Sequence, residues 1–135
     1  MTNAALAEIL GVDDTYQTPR ALVERGLRYS SVVRLAELYE LTVSELCALL
    51  PVSQKTLGRY KEKPLSIDLS DHLVFLAEIY EQAVEVLGSR EYALIWFKTP
   101  NYAFSYRRPL DLLRTFAGIK DITNELGRIQ HGIFV

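Results

Sequence analysis

The sequence predicts an all-α protein. Three observations carry this expectation. Apolar residues recur at steps of three and four along most of the chain, N-cap residues precede the periodic runs, and strand-like alternation is not sustained anywhere. Asn3 caps a first helix with Leu6, Ile9 and Leu10 on its apolar face and Gly11 at its stop. Residues 12–17 read as a polar connector. Thr18-Pro19 then gives an N-cap followed by proline at the first helical position, where the missing N–H costs nothing, and that helix runs to about Gly26. Ser30 or Ser31 opens the next, striped by Val32, Leu35, Ala36 and Tyr39. Thr42 and Glu45 form a capping box ahead of Leu46, Leu49 and Leu50, and Pro51 ends that helix. Ser53 caps another with Leu57 and Tyr60 facing inward, stopped by Pro64.

The pattern changes between Lys63 and Leu69, which predicts an N-terminal domain over 1–64 and a C-terminal domain over 65–135. Ser70 caps a long helix reaching Leu87, with Gly88 just beyond it. Its main stripe is Leu73, Leu76, Ala77, Tyr80, Ala83, Val84 and Leu87. Phe75, Ile79 and Val86 form a second stripe, and Asp71, Glu78 and Glu85 mark the wet face. Two apolar stripes require two packing partners, and the second is either another helix of this chain or another subunit. Ser89 caps a short helix through Ala93, Leu94, Trp96 and Phe97, which Pro100 ends. Asn101 to Arg108 is an irregular loop rich in Tyr, Phe and Arg. Pro109 starts a helix carrying Leu110, Leu112, Leu113 and Phe116 and ending at Gly118. The last helix aligns Ile119, Ile122, Thr123, Leu126 and Ile129, and Gly132 stops it before an apolar tail, Ile133-Phe134-Val135.

Composition narrows the function. The 135 residues carry a formal net charge of −2 and are 49% hydrophobic, too apolar for a disordered chain and too near neutral for one that coats nucleic acid. Cys47 has no second cysteine to bridge, the N-terminus lacks the basic region of a signal peptide, and the longest apolar run, Ala93 to Phe97, cannot span a membrane. The default is a soluble cytoplasmic protein. His72 and His131 are not at metal-ligand spacing with each other or with Cys47, and there is neither a phosphate-binding glycine loop nor a nucleophile elbow. No metal, cofactor or catalytic residue is expected, so the chain is not read as an enzyme. His72, in a first helical turn, reads as a surface or boundary residue, and Cys47 as a buried structural thiol.

Two regions carry interaction chemistry. Residues 42–61 have the layout of a helix-turn-helix, with a break at Leu50-Pro51-Val52. On its second helix Gln54, Lys55, Gly58 and Arg59 share the outer face, and Lys61 follows. Arg pairs with guanine, Gln with adenine and Lys with phosphate, so Gln54, Lys55, Arg59 and Lys61 are candidate DNA contacts. Between Thr42 and Lys63 four basic side chains stand against two acidic ones, in a chain that is acidic overall. The plainer alternative is a helical hairpin with a solvated basic face. At the other end, the apolar tail either folds back on its own domain or docks in a partner's cleft, with Arg128, His131 and the terminal carboxylate as polar anchors.

From Ser53 to Val135 the chain resembles the Xre/MbcA/ParS antitoxins, partners of RES-domain toxins. The resemblance runs through Val52-Ser53-Gln54-Lys55-Thr56-Leu57-Gly58-Arg59-Tyr60-Lys61, then Leu65-Ser66 and Ser70-Asp71-His72-Leu73. It continues through Ala83, Val86, Leu87 and Gly88. Its most specific parts are Trp96-Phe97-Lys98-Thr99-Pro100-Asn101, Arg108-Pro109-Leu110-Asp111-Leu112-Leu113 and Gly127-Arg128-Ile129-Gln130-His131-Gly132, in order. The resemblance implies an Xre-like helix-turn-helix domain followed by a helical toxin-binding domain. It implies a type II antitoxin whose C-terminal end (Arg128, His131, Gly132, Ile133, Phe134 and Val135) covers the active site of an NAD-degrading RES toxin. It also implies binding to operator DNA as a homodimer or within a toxin–antitoxin hetero-oligomer. A stand-alone helix-turn-helix regulator with a helical dimerisation domain is the alternative. One stretch departs from the family, which usually has small residues where this chain has Phe104-Ser105-Tyr106. Without glycine, left-handed backbone angles become costly, so this loop is expected to take another path.

Overall fold

The computed structural model describes residues 3–12 and 18–132, with the side chains of Asn3 and Ala4 left aside. The expected Asn3 cap, most of the connector and the tail Ile133, Phe134 and Val135 therefore lie outside the described residues. Those residues form eight α-helices and no strand, as the periodicity predicts. The helices are α1 (Asn3–Leu10), α2 (Pro19–Arg25), α3 (Tyr29–Leu38), α4 (Val43–Cys47), α5 (Gln54–Gly58), α6 (Ile67–Leu87), α7 (Arg90–Lys98) and α8 (Phe116–Gln130). Cα packing divides the chain into two compact units, Met1–Glu78 and Ile79–Val135.

In the first unit α1 packs on α3, α3 on α4 and α4 on α5. Leu6, Leu10, Leu22, Val32, Leu35, Leu46, Leu50 and Leu57 are buried there. The Thr18 hydroxyl accepts from the Ala21 N–H, with Pro19 in the first turn, as expected. Two serines do different work from that expected of them. Neither Ser30 nor Ser31 caps α3, which starts at Tyr29 after an N-cap, Arg28, that makes no side-chain bond. Ser31 is fully buried and donates to the Leu10 carbonyl at 2.7 Å, satisfying an orphan acceptor at the end of α1. Ser70 does not cap α6, which begins at Ile67. The Ser66 hydroxyl accepts from the Leu69 N–H, and buried Ser70 accepts from the Leu27 N–H at 2.9 Å.

These bonds also explain why the units do not divide at Pro64. The Leu65 N–H donates to the Leu27 carbonyl, and the Tyr39 hydroxyl donates to the Leu76 carbonyl at 2.7 Å, so residues 65–78 are sewn into the first unit. Gly26 allows the close pass between these segments. Its φ is +89°, and a Cβ there would lie 2.8 Å from the Leu65 oxygen. His72 is buried at 2% exposure rather than lying on the surface, because it shares a face of α6 with buried Leu69, Leu76 and Ile79.

In the second unit Ser89 caps α7, accepting from the Tyr92 N–H, and Ala93, Leu94 and Phe97 are buried. Pro109 starts only a 3₁₀ turn, Pro109–Leu112, which packs against α7 and α8. The expected helix ending at Gly118 does not form. Thr115 caps α8, and Gly118 lies in its first turn. Gly118 is there because a Cβ would meet the Leu112 oxygen at 1.8 Å. Ile119, Ile122 and Leu126 form the buried face of α8, while Thr123 is exposed and bonds back to the Ile119 carbonyl. Gly132 at φ +62° closes the helix as expected.

The loop after α7 is the largest surprise. Ser105 and Tyr106 take φ values of +55° and +64° although neither is glycine. Each such residue costs on the order of 1–3 kcal/mol. A dense set of bonds imposes the geometry. The Asn101 carbonyl accepts from the Phe104 and Tyr106 N–H groups, its side chain accepts from the Ala103 N–H, and Asn101 pairs with Arg107 in an isolated bridge.

Candidate DNA and toxin interfaces

The basic region is built from two capped helices. Thr42 and Glu45 bond reciprocally, the threonine hydroxyl accepting from the Glu45 N–H at 3.0 Å and the carboxylate from the Thr42 N–H at 2.9 Å. The α-helix then ends at Cys47, before the expected stop at Pro51, and the Leu49 and Leu50 N–H groups tighten the turn on the Leu46 and Cys47 carbonyls. Burial pushes the Cys47 thiol up from its ordinary value, consistent with a structural thiol beside the Val52 carbonyl. The Ser53 hydroxyl accepts from the Thr56 N–H and opens α5, whose buried face is Leu57. Tyr60, expected inside, is half-buried in the turn beyond.

Gln54, Lys55, Gly58 and Arg59 are all exposed, as the outer-face reading requires. Their freedom differs. The Gln54 amide donates to the Ser44 hydroxyl, which ties α5 to α4 and occupies the group meant to read a base. Lys55 lies in the first turn of α5 and Arg59 at its C-cap. Lys61 lies beyond the helix, with its ammonium 5.6 Å from the centre of the Tyr29 ring. Ser44 escaped the sequence reading because its partner is ten residues away, outside helical spacing.

The C-terminal anchors lie together at the end of α8. The Arg128 guanidinium forks onto Glu125, donating from Nε at 2.8 Å and from a terminal nitrogen at 3.1 Å. The glutamate side chain is 14% exposed and the arginine 64%, so the carboxylate acts as a fixed base for an outward-facing cation. Glu125 was missed as part of this site, although its i,i+3 spacing to Arg128 was legible. His131 caps the helix through its own N–H, and His131 and Gly132 are both exposed. Among the described residues no group of three or more His, Cys, Asp and Glu could hold a metal ion, and no helix is long and apolar enough to cross a membrane.

Comparison with known proteins gives the same two-part division. Residues 19–78 match the antitoxin Xre-like helix-turn-helix domain, and residues 82–132 match the antitoxin Xre/MbcA/ParS C-terminal toxin-binding domain. The chain belongs to the Xre/MbcA/ParS antitoxin family. Similar proteins named Antitoxin Xre come from Yersinia enterocolitica (26% identical over 63% of this chain and 58% of that one) and Photorhabdus laumondii (33% over 49% and 45%). A third is from Pseudomonas putida (29% over 79% and 67%). The chain thus spans about half the length of the first two relatives. Within the family frame Lys55 and Arg59 fall in the helix-turn-helix match, and Arg128, His131 and Gly132 at the end of the toxin-binding match.

Proposed function

We propose that this chain is the antitoxin of a type II pair. Its C-terminal end plugs the NAD-binding cleft of a RES-domain toxin, and its helix-turn-helix represses its own operon. The observation that carries the first half is the Glu125-braced Arg128 at the end of α8, just before the apolar residues Ile133, Phe134 and Val135. An anchored cation followed by an apolar segment suits a cleft that binds an anionic dinucleotide. Neutralisation is steric occlusion in the cytoplasm, with no chemistry by this chain.

Co-expression with the product of the adjoining gene tests this. A chain ending at Gln130 should keep its helical melt and lose protection against the toxin. Full protection by that shortened chain would overturn the plug.

The DNA half rests on Lys55 and Arg59, exposed on a capped α5 whose cations no neighbouring acid neutralises in the sequence 53–61. Near-neutral charge makes one chain a weak binder, and pairing, as a homodimer or within a toxin-bridged hetero-oligomer, supplies affinity through effective concentration. Lys55→Ala with Arg59→Ala should weaken operator binding at least about tenfold and lower the slope of log affinity against log salt by about one, for the lost Lys55 phosphate contact, in a gel-shift salt series. An unchanged affinity removes both residues from the DNA contacts. The alternative, a stand-alone regulator, predicts operator binding with no toxin encoded alongside.

A further inference from the structure

We propose that the loop over 101–107, with α7 beside it, is a second toxin-docking surface, separate from the C-terminal end. Its occupant is an apolar patch of the toxin rimmed by acidic side chains. The inference rests on the toxin-binding reading above.

The first observation is exposure. Tyr102, Tyr106, Tyr92 and Ile95 are 81%, 67%, 65% and 62% exposed, a concentration of large apolar side chains on one stretch of a small unit. A groove of about 360 Å³ runs among Leu87, Tyr92, Ile95, Trp96 and Pro100. Exposed apolar patches of this kind mark interaction sites.

The second observation is rigidity. Tyr102 and Tyr106 meet edge-to-face at 5.6 Å, and Trp96 of α7 meets Phe104 of the same loop edge-on at 6.3 Å. Asn101 closes the loop through its carbonyl, its side chain and its bridge to Arg107. The fold holds Ser105 and Tyr106 in left-handed angles that disfavour their side chains, and the result is a pair of tyrosines fixed at the surface. Residues in such angles cluster at ligand clamps and switch regions. Fixed tyrosines bind with little further loss of freedom, which is why they serve as interface anchors.

The third observation is charge. Residues 90–114 carry five basic side chains against two acidic ones, and Asp111 is already forked by Arg108. A second copy of this chain seated here across a twofold axis would bring these cations together. An acid-rimmed partner gains speed of encounter from this net positive charge.

The test uses the full chain. It is co-expressed with the tagged product of the adjoining gene, and variants compete with labelled wild-type chain for the purified complex. Asparagine tolerates the left-handed angle, so Tyr102→Ala with Tyr106→Asn should leave the melting curve in place and compete at least about thirtyfold less well. Ile95→Glu, outside the loop, should also weaken competition, and Arg107→Glu should slow association most at low salt. Equal competition by all three folded variants overturns the second surface while leaving the antitoxin reading intact. A variant that instead changes the size of the chain alone in sedimentation overturns it in favour of contact between copies. Failure of the wild-type chain to form any complex removes both the antitoxin reading and this inference.

Discussion

Glu78 shows how one residue's surroundings alter its chemistry. Sequence periodicity places it on the wet face of α6, yet it is half-buried in a groove shared with Asp71, Val74 and Phe75. Burial, with the nearby Asp71 carboxylate adding to it, holds its pKa above the ordinary 4.5. The folded chain therefore binds this proton more tightly than the unfolded one. The stability it contributes is full below about pH 4.5 and is lost as pH rises through the raised value. Glu78→Gln should raise the melting temperature at pH 7, and the gain should vanish in melts at pH 4. Asp111 runs the other way. The Arg108 hydrogen bonds lower its pKa, so its contribution is present above the ordinary carboxylate value and disappears as the medium turns strongly acid. Both partners of that pair are over two-fifths exposed, so Arg108→Ala should cost no more than about 1 kcal/mol in a denaturant titration.

Among the elements, α8 shows what sequence reading captures and what it misses. Its stripe of Ile119, Ile122 and Leu126 is legible because burial follows a 3.6-residue period. Its start is not. Gly118 reads as a stop by residue type, and only the tertiary approach of the Leu112 carbonyl reveals why a glycine is needed inside the helix. Gly127, nine residues on, has nothing within 4 Å of where a Cβ would stand. The two therefore make a paired prediction. Gly118→Ala should destabilise the chain by 3 kcal/mol or more, by analogy with the severest overpacking in a core, on the order of that size. Gly127→Ala should stabilise it by about 0.5–1 kcal/mol, as alanine does over glycine in a helix interior. Thermal melts of the two variants check both. Ser31 and Ser70 repeat the lesson. Each looks like a cap, and each instead serves a distant backbone group, Leu10 at the end of α1 and Leu27 in the link between α2 and α3, that no local pattern could disclose.

For the whole molecule, the all-α class was legible because capping and periodicity are local, and the family through the resemblance of its motifs, such as Trp96 to Asn101 and Gly127 to Gly132. The division between units was not, because the bonds that hold residues 65–78 to the first unit are long-range. The candidate contacts fared likewise. Lys55 and Arg59 lie exposed on α5 as their spacing required, and Arg128, His131 and Gly132 gather at one helix end. The tie from Gln54 to Ser44 was invisible in the sequence, whereas the carboxylate brace under Arg128 stands at a legible i,i+3 spacing that was passed over. Gln54→Ala should consequently change operator selectivity less than Arg59→Ala in a binding-site selection experiment, since its amide is engaged before DNA arrives.

Trp96 is the sole tryptophan of the chain, and it lies edge-on to both Phe97 and Phe104 at the base of the tyrosine loop. The molecule therefore carries its own optical reporter. Selective excitation of the indole reads the second unit alone, without a label and without signal from the helix-turn-helix. Binding at the loop should shift its emission, whereas an operator gripped only through α5 should leave it unchanged.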